Sequence, residues 1–440
     1  MINRRSLIGT LGGASLATLW PLSARAAVGR VVVVGGGMAG ATVAKYLRMW
    51  SGNAVAVTLV EQESRYTSNI MSNLVVTSQM PLSSLYFGYS TLVKKYGIKQ
   101  LTGRVEAIEP GGSLGTWKVT IASGGALSTE YCERVVLAPG VQFDPVPETS
   151  NPAASATILH AWHAGPQTEQ LRQQLAAMTP GQTFVMTIPP KPYRCPPGPY
   201  ERACVVADYL KRNKPGSRIL VFDANSGITA EAENFGYAFD TIYGPSILEY
   251  HPSMRVVSVD SASRSVTLLD TSNATSTSTE TVRADVLNVI PPHRAGAIVQ
   301  AAGLANATTI PFAAVDVRSF ESTQTSGIHV IGDSSKTTLP KAGHVGNQGG
   351  KICADAIIKA FNFQAPDPSP TANSACFSPI SSTKASWLTA VYQYDPVSSS
   401  MVIRDQVSAS TVATEARSAS TDNFGKMGTW FKTLMSDTFA

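Results

Sequence analysis

The sequence predicts an α/β chain of two Rossmann-like nucleotide-binding domains followed by a small C-terminal α+β domain. Three observations carry this. A β-branched run meets a glycine-rich turn and a helix pattern near the N-terminus. A second strand–helix–strand unit follows in the middle of the chain. A late strand then ends in Gly-Asp and leads into another glycine-rich helix start.

The first unit runs from Gly29 to Leu47. Arg30-Val31-Val32-Val33-Val34 reads as a buried parallel strand. Gly35, Gly37 and Gly40 match G-x-G-x-x-G, with Met38 and Ala39 between the last two. The first glycine allows the tight turn, the second lets backbone approach a pyrophosphate, and the third lets helix pack on strand. The helix N-terminus then offers free N–H groups to phosphate. A second strand, Ala54 to Val60, ends at Glu61, an acid placed to accept ribose hydroxyls. Strand, turn, helix and acid together predict a dinucleotide site. Val105, in the strand Gly103 to Ile108, is expected beside the adenine. Arg134 to Leu137 is another buried strand, continued by Ala138-Pro139-Gly140 at the crossing into the second domain.

The second domain is expected to begin near Pro152. Gln167 to Met178 is an amphipathic helix, Thr183 to Ile188 a strand, Tyr200 to Lys214 a helix, and Arg218 to Phe222 a strand ending at Asp223. The turn of this βαβ unit is Pro189-Pro190-Lys191-Pro192-Tyr193-Arg194-Cys195-Pro196-Pro197-Gly198-Pro199. Its prolines remove the N–H donors that would hold a pyrophosphate, so the nicotinamide site is expected to be lost. A cysteine stands in its place, and Glu201 follows in the first helical turn. Glu201 reads either as a proton-handling group or as a partner of the helix dipole. Arg194 and the helix N-terminus are expected to favour a Cys195 thiolate. His160 and His163 form an i, i+3 pair with no third ligand, which reads as structural; no metal centre is expected.

The chain returns to the first domain with Gly327-Ile328-His329-Val330-Ile331-Gly332-Asp333. Paired with the N-terminal motif, this strand-Gly-Asp unit points to FAD, with Asp333 at the ribityl and phosphate region, as in the glutathione-reductase type of fold. Gly346 lies in the approach to a helix predicted over Lys351 to Phe361. The N-terminus of that helix, aided by Lys341, is expected to stabilise reduced flavin. Gln364 to Ser374 reads as a linker, and strands at Trp387–Tyr394 and Ser400–Arg404 precede an apolar C-terminal set. The expected domains are 27–150 with 300–364, then 151–299, then 365–440.

The first 26 residues read as an export leader. Asn3-Arg4-Arg5-Ser6-Leu7-Ile8 is a twin-arginine pattern, an apolar run extends to Leu22, and Ala24-Arg25-Ala26 is an A-x-A site. The expected destination is a periplasm, where disulfides persist. Of the formal net charge of +5, three positive charges lie in that leader. The remaining surplus is too small to predict nucleic-acid binding, and no stretch of the mature chain is apolar enough to predict a membrane span. The five cysteines, Cys132, Cys195, Cys204, Cys353 and Cys376, show no CxxC or zinc spacing. Cys132, Cys204 and Cys353 sit in apolar patterns and read as small core residues.

The chain resembles the flavoprotein subunit of flavocytochrome c sulfide dehydrogenase. The resemblance rests on Val33 to Gly37, His160-Ala161-Trp162, Arg194 to Ala203, Pro291-Pro292, Arg294-Ala295-Gly296, Gly327 to Asp333, and Asp437-Thr438-Phe439. It implies that Cys376 pairs with Cys195 in a disulfide beside the flavin that accepts electrons from sulfide. It also implies a c-type cytochrome, as a subunit or a soluble protein, as the electron acceptor. Members of the family attach FAD through a cysteine in a Tyr-Thr-Cys stretch. Here the stretch is Tyr66-Thr67-Ser68-Asn69, and no cysteine occurs between Ala27 and Tyr131, so non-covalent FAD is expected. The neighbouring readings are a sulfide:quinone oxidoreductase and a redox-silent FAD-binding subunit of a sulfur-oxidation complex.

Overall fold

A computed structural model describes residues 28–440 apart from 114, 149–157, 307, 308 and 405–413. The predicted leader with its cleavage site, and the expected start of the second domain near Pro152, lie outside the described residues.

The fold is the mixed α/β arrangement that the sequence predicts. The strand Gly29–Val34 lies between two parallel neighbours, Val55–Glu61 and Arg134–Leu137. Lys99–Thr102 extends the sheet on one side, and Ile328–Val330, far along the chain, joins it on the other. Val31, Val32 and Val33 are almost fully buried because the helices Met38–Trp50 and Gly343–Phe361 cover one face of this sheet and the three-stranded sheet of Arg104–Pro110, Trp117–Ser123 and Ala126–Cys132 packs on the other. The second sheet is wholly parallel, in the order Leu248–His251, Arg218–Asp223, Thr183–Ile188, Val286–Val289. The two connections between the sheets run side by side, Val141–Phe143 pairing antiparallel with His293–Ala295.

Two expectations are corrected. The helix predicted over Lys351 to Phe361 is Gly343–Phe361 and begins eight residues earlier. Glycines that look like loop residues lie inside it because it crosses the first helix, Met38–Trp50, at close range. A Cβ at Gly350 would stand 2.8 Å from the Ala39 carbonyl oxygen. Close packing here outweighs the low helix propensity of glycine. The linker expected to reach Ser374 ends sooner, because Thr371–Pro379 is a strand paired with Ala385–Asp395. That strand places Cys376 in a sheet.

The C-terminal helix, Thr421–Phe439, docks on the body. Phe431, Leu434, Met435 and Phe439 join the core formed by the first sheet and its helices. Among the described residues, no helix is long and apolar enough to cross a membrane.

Candidate active site

One cavity of about 1270 Å³ runs from the glycine turn of the first domain to the cysteine loop of the second. Ordinary small-ligand sites enclose roughly 300–1,000 Å³, so its size suits a dinucleotide.

At one end, Gly35 has a φ of +101°, and a Cβ there would meet the Ala138 carbonyl oxygen at 2.4 Å. A Cβ at Gly40 would lie 1.8 Å from the Gly35 carbonyl oxygen, which makes Gly40 a packing residue that does not line the cavity. Gly37 faces open space, its nearest neighbour being Tyr66 at 3.8 Å. The N-termini of the helices Met38–Trp50 and Gly343–Phe361 line the cavity at this end. Neither has an acid in its first turn or a capping side chain. Their uncapped N–H groups suit an anionic ligand. Glu61 Oε2 accepts from the Gly36 N–H and Oε1 from the Glu63 N–H, which fixes the acid at the cavity wall. Met38, Ala39, Val105, Ala138, Gly140, Asp333 and Gly346 also line the cavity. These residues fit FAD: the glycine turn and helix ends would hold its phosphates, and Glu61 the adenosine ribose.

Lys341 departs from expectation. It does not line this cavity; its Nζ donates to the carbonyls of Asp333 (2.8 Å) and Ser335 (2.9 Å) and lies over the Phe312 ring. The ammonium therefore braces the loop that presents Asp333. The Lys341 carbonyl accepts from the Cys195 N–H at 2.6 Å and so anchors the cysteine. Arg194, Asp333 and Lys341 interact electrostatically, and burial holds Asp333 above the usual carboxylate range while the two cations oppose that shift.

At the other end stand Cys195, Cys376 and Glu201. Cys195 has a φ of +61°, unusual for a non-glycine residue. Gly198 is required beside it, because a Cβ there would meet Cys195 Sγ at 2.8 Å and the Trp162 ring at 2.9 Å. Cys376 reaches the cavity from the C-terminal sheet, and Cys195 is its strongest electrostatic neighbour. Both cysteines are free thiols, so the disulfide implied by the resemblance is not formed in this structure. Nor does this geometry favour the thiolate expected at Cys195. Burial, seconded by Glu201, outweighs Arg194 and pushes the thiol up to about 12. Burial likewise raises Cys376 well above the ordinary thiol range. Cys132, Cys204 and Cys353 are buried in the core.

Glu201 is buried, and Asn73 Nδ2 donates to its Oε1 at 2.9 Å. Burial raises its pKa to about 8; the Asn73 hydrogen bond opposes the shift, and Glu231 adds to it. A neutral carboxyl gives a helix dipole no charge to act on, so the proton-handling reading is the one this geometry favours.

Sequence reasoning missed Asn73 and Arg202. Arg202 is fully buried and donates to Asn73 Oδ1 (2.8 Å), Asn288 Oδ1 (3.0 Å) and the carbonyls of His160 and Ala161. It holds Asn73, which holds Glu201. The available signal was a lone arginine entering the apolar run Ala203-Cys204-Val205-Val206. Its partners are 41 to 129 residues away, beyond any local pattern. His160 is held neutral by burial, and among the described residues no group of three or more acids, histidines and cysteines is placed to bind a metal.

The fold is that of FAD-dependent pyridine nucleotide–disulphide oxidoreductases. Residues 29–176 match the sequence model of the pyridine nucleotide-disulphide oxidoreductase family. Residues 168–291 match that of the central part of the sulfide dehydrogenase [flavocytochrome c] flavoprotein chain. The sulfide:quinone oxidoreductase of the hyperthermophilic bacterium Aquifex aeolicus superposes with a TM-score of 0.69 at 16% identity, over 93% of this chain and 92% of that one. Putidaredoxin reductase, in its covalent complex with putidaredoxin, gives 0.59 at 16% identity, over 83% and 82%. An NAD-dependent persulfide reductase from A. fulgidus gives 0.54 at 16% identity, over 83% and 71%. At these identities the structures share the fold. With the family matches, they define a flavoprotein oxidoreductase whose central domain is similar to that of the sulfide dehydrogenase flavoprotein chain.

Proposed function

We propose that this chain is a periplasmic FAD-dependent sulfide dehydrogenase that oxidises sulfide at a Cys195–Cys376 disulfide and passes the electrons to a c-type cytochrome. The observation that carries this reading is the meeting of Cys195, Cys376 and Glu201 in the cavity whose other end is the dinucleotide cradle. FAD, bound there without a covalent link, supplies a two-electron acceptor that can release electrons singly.

The chain's own groups account for the thiol chemistry. Hydrosulfide attacks one sulfur of the disulfide; a new S–S bond forms and the old one breaks. The electron pair of the broken bond goes to the leaving sulfur. Burial makes that sulfur a strong base, and Glu201, neutral up to about pH 8, supplies its proton. The products are a cysteine persulfide, a thiol and the Glu201 carboxylate. Asn73 keeps the carboxyl oriented in both protonation states. The proline-filled second loop argues against a nicotinamide as the source or sink of electrons.

The test is anaerobic addition of sulfide to the pure holoprotein, followed by oxidised cytochrome c or a quinone. The expected result is bleaching of the flavin by sulfide and rapid recovery with cytochrome c. Recovery with the quinone alone would favour a sulfide:quinone oxidoreductase. A flavin that sulfide leaves oxidised would make the chain a redox-silent binding subunit.

A further inference from the structure

The sulfur end of the cavity holds a buried cation that the chemistry above does not use. Arg194 lines the cavity and is only 8% exposed. Its backbone is fully engaged: the N–H donates to His293 Nδ1 at 2.9 Å, and the carbonyl accepts from Trp162 Nε1 at 3.1 Å. Its guanidinium is not. Among the described residues it makes no hydrogen bond or ion pair, and its neighbours act on it through charge alone, Asp333 first, then Tyr66 and Cys195. None of its nitrogens is sealed off without a partner, so its donors open on the cavity. Arg202, on the helix that follows, shows the contrast: its guanidinium donates to two asparagines and two carbonyls. Arg65 and Arg104 also line the cavity, but both are exposed and engaged, Arg104 with Glu106 and Arg65 over the Tyr86 ring. A cation buried without a partner is costly. Burial lowers the guanidinium's pKa and Asp333 opposes the shift, yet arginine starts high enough to keep its charge. An anion in the cavity is the group that answers it.

Position selects the anion. The phosphates of a bound FAD belong to the glycine turn and the two helix N-termini at the other end. Arg194 is joined to Cys195 by a peptide bond, and both share the end of the cavity where Cys376 and Glu201 stand. Thiol–disulfide exchange needs the ionised nucleophile, and in neutral water sulfide is a mixture of H₂S and HS⁻. A dry pocket alone favours the neutral molecule. A weakly hydrated guanidinium reverses that preference for a soft monoanion. We propose that Arg194 is the substrate-binding cation of this site: its guanidinium holds the incoming hydrosulfide as an anion beside the Cys195–Cys376 pair, so that the site takes HS⁻ in preference to H₂S and other neutral thiols. This inference rests on the sulfide-oxidising reading above. Arg194 binds and orients, and the bond changes are those already given. HS⁻ brings its own electron pair into the new S–S bond, and Glu201 supplies the proton of the leaving sulfur.

Two measurements on the flavin-loaded protein test this. In the first, flavin bleaching is followed against sulfide concentration by anaerobic stopped flow. In Arg194→Gln the concentration giving half the limiting rate is expected to rise about tenfold or more, with the limiting rate itself within about threefold of the wild type. Arg194→Lys is expected to recover part of the affinity, and flavin content reports whether each variant has folded. In the second, the oxidised holoprotein is titrated with thiocyanate, a soft monoanion, at fixed ionic strength and without sulfide. A saturable change in the flavin spectrum is expected in the wild type and is expected to be lost in Arg194→Gln. Thiocyanate should also compete with sulfide in the wild type, a comparison that needs no variant. The spectral titration involves no turnover, so it decides on the anion site even if sulfide leaves the wild-type flavin oxidised, the result that would instead sink the sulfide-oxidising reading. An unchanged half-saturating sulfide concentration in Arg194→Gln, accompanied by a lowered flavin reduction potential, would overturn the proposal and assign the cation to the reduced flavin. A wild type whose flavin spectrum and sulfide affinity are both indifferent to thiocyanate would overturn it as well.

Discussion

Glu201 sits where two opposing effects are large. Its position in the first turn of a helix favours a charged carboxylate, yet burial beside a second acid wins and holds the proton to about pH 8. The acid form that serves the leaving sulfur is therefore present below about pH 8 and lost above it. The rate constant for flavin bleaching by hydrosulfide is expected to fall as pH rises through that value. In Glu201→Gln the bleaching should be slower by roughly 10²-fold and should lack the descending limb. The same titration enters stability. The unfolded chain releases this proton in the ordinary carboxylate range and the folded chain only near pH 8. The stability that the neutral acid contributes is thus complete below the carboxylate range and lost progressively up to about pH 8. Thermal melts of wild type against Glu201→Gln should diverge across that window. A bleaching rate in Glu201→Gln with the wild-type pH profile would remove Glu201 from the chemistry.

At the scale of elements, Tyr66, Thr67 and Asn69, with Ser72 and Asn73 at the start of the short helix Ser72–Val76, line the cavity, and Asn73 ties that helix to Gly198 and Glu201. Asn69 Oδ1 accepts from the Ala164 N–H, and Tyr66 stacks on Phe439 of the C-terminal helix at 5.1 Å. That helix is tied down by Asp437, which accepts from Tyr46, Asn347 and Lys351 of the two glycine-rich helices. Among the described residues, the cysteines lining the cavity are Cys195 and Cys376, and the stretch from Tyr66 to Asn73 carries none to anchor a flavin. Acid denaturation is accordingly expected to release all the flavin into the supernatant. Yellow colour kept on the precipitated chain would contradict non-covalent binding. Strands and glycine turns of these elements were readable because a β-branched run and a G-x-G-x-x-G spacing are local signals. The start of the helix at Gly343 was not, because its glycines answer to the approach of Ala39, some 300 residues earlier in the chain.

For the whole molecule, the paired connections Val141–Phe143 and His293–Ala295 set the cysteine loop over the open end of the first sheet. The C-terminal sheet brings Cys376 to the same cavity. The α/β architecture was legible from strand and helix patterns that repeat along the chain. The candidate site was legible in part: the glycine turn, Glu61, Asp333 and Cys195 stand in recognisable motifs. Cys376 came forward only through the family resemblance. Asn73 was invisible and Arg202 showed only as a lone arginine entering an apolar run, since each has its meaning from partners on other elements. Lys341 and the Cys195 thiolate were misjudged for the same reason: sequence places charges in order but does not report which are buried. The claim at the centre of this account is that electrons from sulfide enter through the Cys195–Cys376 pair. Stopped-flow mixing of anaerobic sulfide with the flavin-loaded Cys195→Ser variant tests it most directly. The account expects flavin bleaching slower than wild type by about 10³-fold or more; bleaching at the wild-type rate would contradict it.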